Sequence, residues 1–244
     1  GGARGGGGRT VGRQFSEVAG GGVFQGLVCL RKVRMPGPAV NYSELLIESG
    51  FADAPALAGL VGGWRSLFDV LTPDVLIASH APTAMLAARV AGISAIPLGT
   101  GFEIPPVQAP LPSIRPWENV SKRHLLHADG VVLRGINAVL TSARMSAISQ
   151  VAELLRGPRI LTTFPELDHY GPRATEQYFG PLRSPVEGSV IQCRKSDRPR
   201  IFVYLRPSVT GFHAVLQSPK APNAARICVP TAPSTPLQSN FTIV

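Results

Sequence analysis

Residues 73–103, PDVLIASHAPTAMLAARVAGISAIPLGTGFE, constrain the fold of this chain more than any other stretch. They read as one βαβ unit. An apolar run, Val75 to Ala78, ends in the polar turn Ser79-His80-Ala81-Pro82. Pro82 suits a first helical turn, where its missing N–H has no partner to lose. An Ala-rich helix follows through Met85, Leu86, Ala88 and Val90, and Gly92 supplies its stop. A second apolar run, Ile93 to Leu98, opens into Gly99-Thr100-Gly101. Two continuously apolar strands joined by a short crossover helix predict a parallel sheet buried on both faces. Ligands of such sheets bind beyond the carboxyl ends of the strands, where Ser79, His80, Thr100, Gly101 and Phe102 fall.

The flanking pattern extends this α/β reading. Asn41 or Ser43 can cap a short helix that Gly50 ends, and Asp53 can cap a longer one with Pro55 in its first turn. Leu57, Leu60, Val61, Trp64, Leu67, Phe68 and Leu71 mark one face of that second helix. The proline-dense segment after Phe102 predicts a long functional loop, with Ile104, Val107 and Leu111 as apolar wall residues. Helical patterns follow around Trp117 to Leu126 and from Asp129 into the mid-150s. A strand is predicted at Arg159 to Phe164. Beyond a linker, Arg200 to Leu205 and Arg226 to Val229 read as the strands of a second βαβ unit.

The net charge of +9 raises the question of nucleic acid, and its distribution answers it. Residues 1–35 carry six Lys/Arg against one acid and residues 183–244 eight against two, whereas residues 36–182 carry ten against twelve. The basic excess sits at the ends, without the interleaved aromatics of a stacking platform, so no nucleic-acid partner is expected. No apolar run reaches the length of a membrane span, and the start lacks a signal-peptide core, so a cytoplasmic protein is expected. Three widely spaced cysteines define neither a disulfide framework nor a zinc site. His124, His127 and Asp129 have a spacing a metal could use, but no further ligands join them, and no metal is expected. The glycines of residues 1–26 fit neither a dinucleotide fingerprint nor a Walker loop, and that segment is expected to be disordered. No GxSxG elbow or HExxH is present.

Four segments resemble the GT-B glycosyltransferases, in particular bacterial UDP-glycosyltransferases of the UDP-glucuronosyltransferase-like and macroside types. They are NYSELLIESGF at 41–51, PDVLIASHAPTAMLAARVAGISAIPLGTGFEIPP at 73–106, ILTTFPELDHYGPR at 160–173 and RPRIFVYLRPSV at 198–209. The resemblance implies two Rossmann-like lobes: an acceptor-binding lobe over 31–180, a linker at 181–199 and part of a nucleotide-sugar lobe over 200–244, after a Gly/Arg-rich start at 1–30. It implies sugar transfer from a nucleotide sugar, a UDP-sugar, to a hydroxyl of a small hydrophobic or lipid acceptor, with no cofactor. His80, Thr100, Gly101 and Phe102 would then line the acceptor cleft, with His80 the candidate base. Arg206, Ser208 and Thr210 would meet the donor diphosphate. Glu166, Asp168 and His169 form a polar cluster after a strand, suited to acceptor contacts or equally to capping and interlobe hydrogen bonds.

Two departures accompany the resemblance. Residues 1–30 contain no histidine where the family carries one, and the family's donor signature would lie beyond Val244. The expectation is therefore a fragment inactive as this polypeptide. A non-catalytic α/β binding module is the alternative.

Overall fold

The computed structural model describes residue 24, residues 37–182, and residues 201–204, 210, 211, 214 and 225–228. The chain divides into two compact units, Gly1–Arg183 and Ser184–Val244.

The first unit begins with α1, Tyr42–Leu46. Asn41 caps it, the side chain accepting from the Glu44 amide at 3.0 Å. The helix runs into a wide turn, Ile47–Phe51, which Gly50 closes at φ 99°, a conformation that side chains with a Cβ resist. Helix α2, Ala54–Leu71, starts as predicted: Asp53 Oδ1 accepts from the Ala56 amide at 3.0 Å. Its Leu57, Val61 and Phe68 are buried, whereas Leu71, at the end of the predicted stripe, is 44% exposed. No single helix among the described residues is long and apolar enough to cross a membrane. Tyr42–Phe51 and Ala54–Leu71 reach that composition only as a pair bent by 80°, and their apolar faces are used in the core.

The βαβ unit forms as the sequence implies. Strand β1, Val75–Ser79, pairs in parallel with β2, Ser94–Gly99, from Val75 opposite Ser94 to Ser79 opposite Leu98. Between them runs α3, Pro82–Ala91, with Pro82 in its first turn and Gly92 as its left-handed cap. A third strand, β3, Ile160–Leu161, extends the sheet beside β2 in the order β1-β2-β3. It is shorter than the predicted 159–164 because the chain turns at Thr162–Phe164 into a single 3-10 turn, Pro165–Leu167.

One expectation is corrected. Strand β1 is not buried on both faces: Leu76 and Ala78 join the core, but Val75 and Ile77 are 46% and 58% exposed. Side chains alternate across a strand, and among the described residues helices cover only one side of β1. The helical patterns around 117–155 also resolve differently. They form one helix, α4, Lys122–Ser142, capped by Ser121 and followed, after a bend at Arg144, by the 3-10 turn Val151–Leu155. Trp117 lies in the loop before α4. Gly135 lets α4 pack directly on the carbonyl of Phe51, where a Cβ would collide with backbone.

A buried polar lock ties α1, the proline loop and α4 together. Asp129 on α4 accepts from Ser43 Oγ at 2.7 Å and from the Leu111 amide at 2.9 Å. Asn41 Nδ2 donates to the Leu111 carbonyl, and Glu44 accepts from the Val40 amide at 2.7 Å while contacting His124 Nε2 at 2.6 Å. This arrangement corrects one sequence reading, the apolar wall. Asp129 and His124 are both engaged in these polar contacts. Ile104 and Leu111 do not line an open wall: both are fully enclosed in the fold, and only Val107 of the three is exposed.

In the second unit β4, Ile201–Tyr204, pairs in parallel with β5, Ala225–Cys228, in the register Ile201 to Ala225 through Tyr204 to Cys228. Thr210 and Gly211 form an exposed turn. Arg206, Ser208 and the Gly/Arg-rich start lie outside the described residues, apart from Phe24.

The lock generates a pH prediction. Burial raises the Asp129 pKa, and the bonds from Ser43 and Leu111 offset this only in part. Its folded pKa exceeds the unfolded value of about 3.9, so folding favours the protonated form. The stabilisation is complete below that value and is lost as pH rises through the raised one. Asp129→Asn holds the site neutral. The stability difference, wild type minus Asp129→Asn, should fall from pH 3 to pH 7 in urea titrations. Asp129→Ala, which leaves the Leu111 amide and Ser43 hydroxyl unpaired, should cost about 2–4 kcal/mol.

Candidate functional site

Parallel pairing places the carboxyl ends of β1 and β2 together, and the residues that follow them meet there. His80 continues directly from β1. Its backbone lies in the left-handed region, φ 46°, which costs a residue with a Cβ of order 1 kcal/mol. Strained backbone of this kind is concentrated at functional sites, and here it ends in an exposed imidazole. The His80 ring lies 6.0 Å from Tyr42 and 6.4 Å from Phe102, the latter in an edge-on arrangement at 68°. Phe102 in turn lies 5.3 Å from His169. Tyr42, His80, Phe102 and His169 thus form one aromatic row across the sheet edge. Tyr42 is enclosed beneath it, while His80 and His169 are open to solvent.

The Thr100–Phe102 turn is held from two sides. Glu103 Oε2 accepts from the Thr100 amide at 2.8 Å, and Gly99 leaves room for that carboxylate where a Cβ would overlap it. On the other side the Asp168 carboxylate lies against Gly101, again in space that a Cβ would need. Gly101 is therefore buried and belongs to the support of the turn, whereas Thr100 is exposed at its tip.

Asp168 organises what lies below. Its Oδ1 accepts from the Tyr170 amide at 3.0 Å and from Arg173 Nη2 at 3.2 Å, and its Oδ2 accepts from the Tyr178 hydroxyl at 2.9 Å. Arg173 Nε lies 3.0 Å from the same Oδ2. Arg173 Nη2 also reaches the Gly101 carbonyl at 3.4 Å, and its guanidinium stands 5.5 Å over the Tyr170 ring. The Arg173 side chain is 7% exposed and that of Asp168 is fully covered. A pair this buried depends on such supplementary bonds, since burial alone penalises both charges.

Electrostatics keep the phenols neutral. Burial, reinforced by the Glu103 charge, pushes the Tyr42 pKa far up, and burial does the same at Tyr170 although Arg173 opposes it. Burial and the bond to Asp168 raise Tyr178 as well. The Tyr170 hydroxyl and Arg173 Nη1 are sealed from solvent, so they form part of the foundation of the turn and not its surface. On the open face the row presents two imidazoles, those of His80 and His169, a side chain suited to passing a proton.

Of the sequence-predicted residues, His80, Thr100 and Phe102 come together at this edge, and His169 joins them. Glu166 is exposed on the 3-10 turn, outside the aromatic row. Of the proposed donor residues, Thr210 lies in the second unit, and Arg206 and Ser208 lie outside the described residues. Tyr42, Tyr170, Arg173 and Tyr178 were not singled out from sequence. The signal for the last three was local: two tyrosines and an arginine within ten residues of Asp168, close enough to satisfy a buried carboxylate.

No protein-family model matches the chain, and no curated protein matches it. It is similar to solved structures of bacterial glycosyltransferases. The glycosyltransferase SnogD from Streptomyces nogalater is 19% identical over 85% of this chain and 58% of its own, with a TM-score of 0.44. The kitacinnamycin glycotransferase is 13% identical over 86% of this chain and 57% of its own, at 0.49. SsfS6 from Streptomyces sp. SF2575 is 14% identical over 85% of this chain and 50% of its own, at 0.41. The chain thus spans about half the length of the structures it matches. Likenesses at these identities and scores define no family, and the reading of the site rests on its own geometry.

The strain at His80 is directly testable. His80→Ala retains a Cβ in the left-handed conformation, whereas His80→Gly removes it. Glycine at this position should be more stable than alanine by roughly 1 kcal/mol in chemical denaturation. Equal stability of the two variants would show that the backbone there is unstrained.

Proposed function

We propose that the first unit is the acceptor-binding lobe of a GT-B-type glycosyltransferase, and that its acceptor lies against His80, Thr100, Phe102 and His169. The observation that carries this reading is the aromatic row at the carboxyl end of two parallel strands, with His80 and Phe102 rings 6.4 Å apart and Phe102 and His169 rings 5.3 Å apart. Open aromatic faces at a sheet edge favour a small hydrophobic acceptor or the apolar part of a lipid over a highly charged one. In this reading His80 accepts the proton of the acceptor hydroxyl. The hydroxyl oxygen attacks the anomeric carbon of a UDP-sugar, and the carbon–oxygen bond to the diphosphate breaks. Arg206, Ser208 and Thr210 are proposed to meet that diphosphate, and no metal or cofactor enters the scheme.

Binding of a phenolic or hydroxylated lipid acceptor panel to the full chain, followed by calorimetry, tests the site. Phe102→Ala and His169→Ala should each weaken the best ligand roughly 3- to 10-fold, the loss expected for one aromatic contact. Unchanged affinity in both variants would remove the site. Turnover separates the catalytic reading from its competitor, a non-catalytic α/β binding module. The second reading predicts acceptor affinity without any product when UDP-sugars are added. The first predicts that the chain also binds a UDP-sugar and, in a polypeptide that carries a complete nucleotide-sugar lobe, product that His80→Ala reduces by about 100-fold or more while acceptor affinity is kept.

A further inference from the structure

The inner face of α4 is spent on the core, through Ala128, Val132, Ile136, Val139 and Leu140. Its outer face has a different character. Lys122, Leu126, Gly130 and Arg134 follow one another at four-residue steps, flanked by Arg123 and His127, so these residues share one side of the helix. Lys122, Arg123, Leu126, His127 and Arg134 are all exposed, and the one acid of the helix, Asp129, is buried. Residues 36–182 as a whole carry two more acids than bases, so this cationic face is a segregation of charge and not a reflection of the average.

Two further features do not follow from folding requirements. Helix α4 has no acid in its first turn, and Lys122 and Arg123 stand there instead, where the helix macrodipole disfavours positive charge. In the loop that enters α4, five residues before Lys122, Trp117 is 75% exposed, and Leu126 on the cationic face is 50% exposed. The neighbouring acids are already engaged: Glu118 pairs with Arg115 at 2.8 Å, and Glu44 contacts His124.

We propose that this face of α4, with Trp117, docks on an anionic lipid surface. Lys122, Arg123 and Arg134 supply the attraction to acidic headgroups, and Trp117 and Leu126 are the side chains that enter the interface, where tryptophan is favoured. A polyanion such as nucleic acid would use the same cations but has no need of an exposed leucine among them, and the face carries no aromatic ladder for stacking.

The test is sedimentation of the full chain with vesicles of phosphatidylglycerol and phosphatidylcholine in equal parts, against phosphatidylcholine alone, at near-physiological salt. Binding to the anionic vesicles only is expected, with a blue shift of tryptophan emission that is lost in Trp117→Phe. Trp64, the other tryptophan, is half-buried with its indole N–H on Thr83, and supplies the constant background. The combined variant Lys122→Gln, Arg123→Gln and Arg134→Gln should lower partitioning about 100-fold, at roughly fivefold per cation. Circular dichroism shows whether that surface variant keeps its fold. The basic ends of the chain also attract anionic vesicles, so the variant is decisive. Partitioning unchanged by the three substitutions, absence of the Trp117 shift, or tighter binding to duplex DNA than to the vesicles would each overturn the proposal.

Discussion

A single buried carboxylate, Asp168, connects the support of the site to its open surface. It takes hydrogen bonds from a backbone amide, a guanidinium and a phenol, and it lies in the space left by the missing side chain of Gly101. The Thr100–Phe102 turn is thereby clamped between Asp168 below and Glu103 beside it. The position of Phe102 against His80 and His169 depends on that clamp. Removing one partner of the Asp168–Arg173 pair would leave a charge buried without compensation, which is far costlier than the net value of the pair itself.

The rest of the first unit holds this edge in place through a second buried carboxylate. Asp129 joins α4 to α1 and to the proline loop, and the close contact of Gly135 with Phe51 fixes the same helix against the wide turn after α1. Through α1 the arrangement reaches the site, because Tyr42 is the enclosed ring beneath His80. Two helix-borne polar contacts and one close backbone approach thus set the height of the aromatic row above the core.

The sequence disclosed the frame well and the polar support poorly. Pro82, Gly92 and the apolar runs on either side dictate a parallel βαβ unit, and the structure has it. Helix α2 was legible from Asp53, Pro55 and the apolar stripe, because capping and periodicity are local signals. The exposure of Val75 and Ile77 was not legible, since an apolar run does not say which of its faces will be covered. The proline loop misled for a related reason: Ile104 and Leu111 are apolar as a wall residue would be, yet the Asp129 bond to the Leu111 amide draws the segment into the core. That bond spans 18 residues and the Ser43 bond spans 86, separations at which no pattern in the sequence reports a contact. At the site, the two turns that follow β1 and β2 could be placed by topology alone. The burial of Gly101 and the role of Tyr42 depend on pairings with residues far along the chain.

In the proposed site one sheet edge, the turns at 79–81, 99–102 and 168–171, forms a single ligand surface. Backbone amide chemical-shift mapping tests it most directly, by titrating isotope-labelled protein with the tightest-binding acceptor. Saturable shifts are expected in those three segments together, with the outer faces of α2 and α4 unmoved. Shifts confined to one of the three turns, or concentrated on the helices, would contradict it.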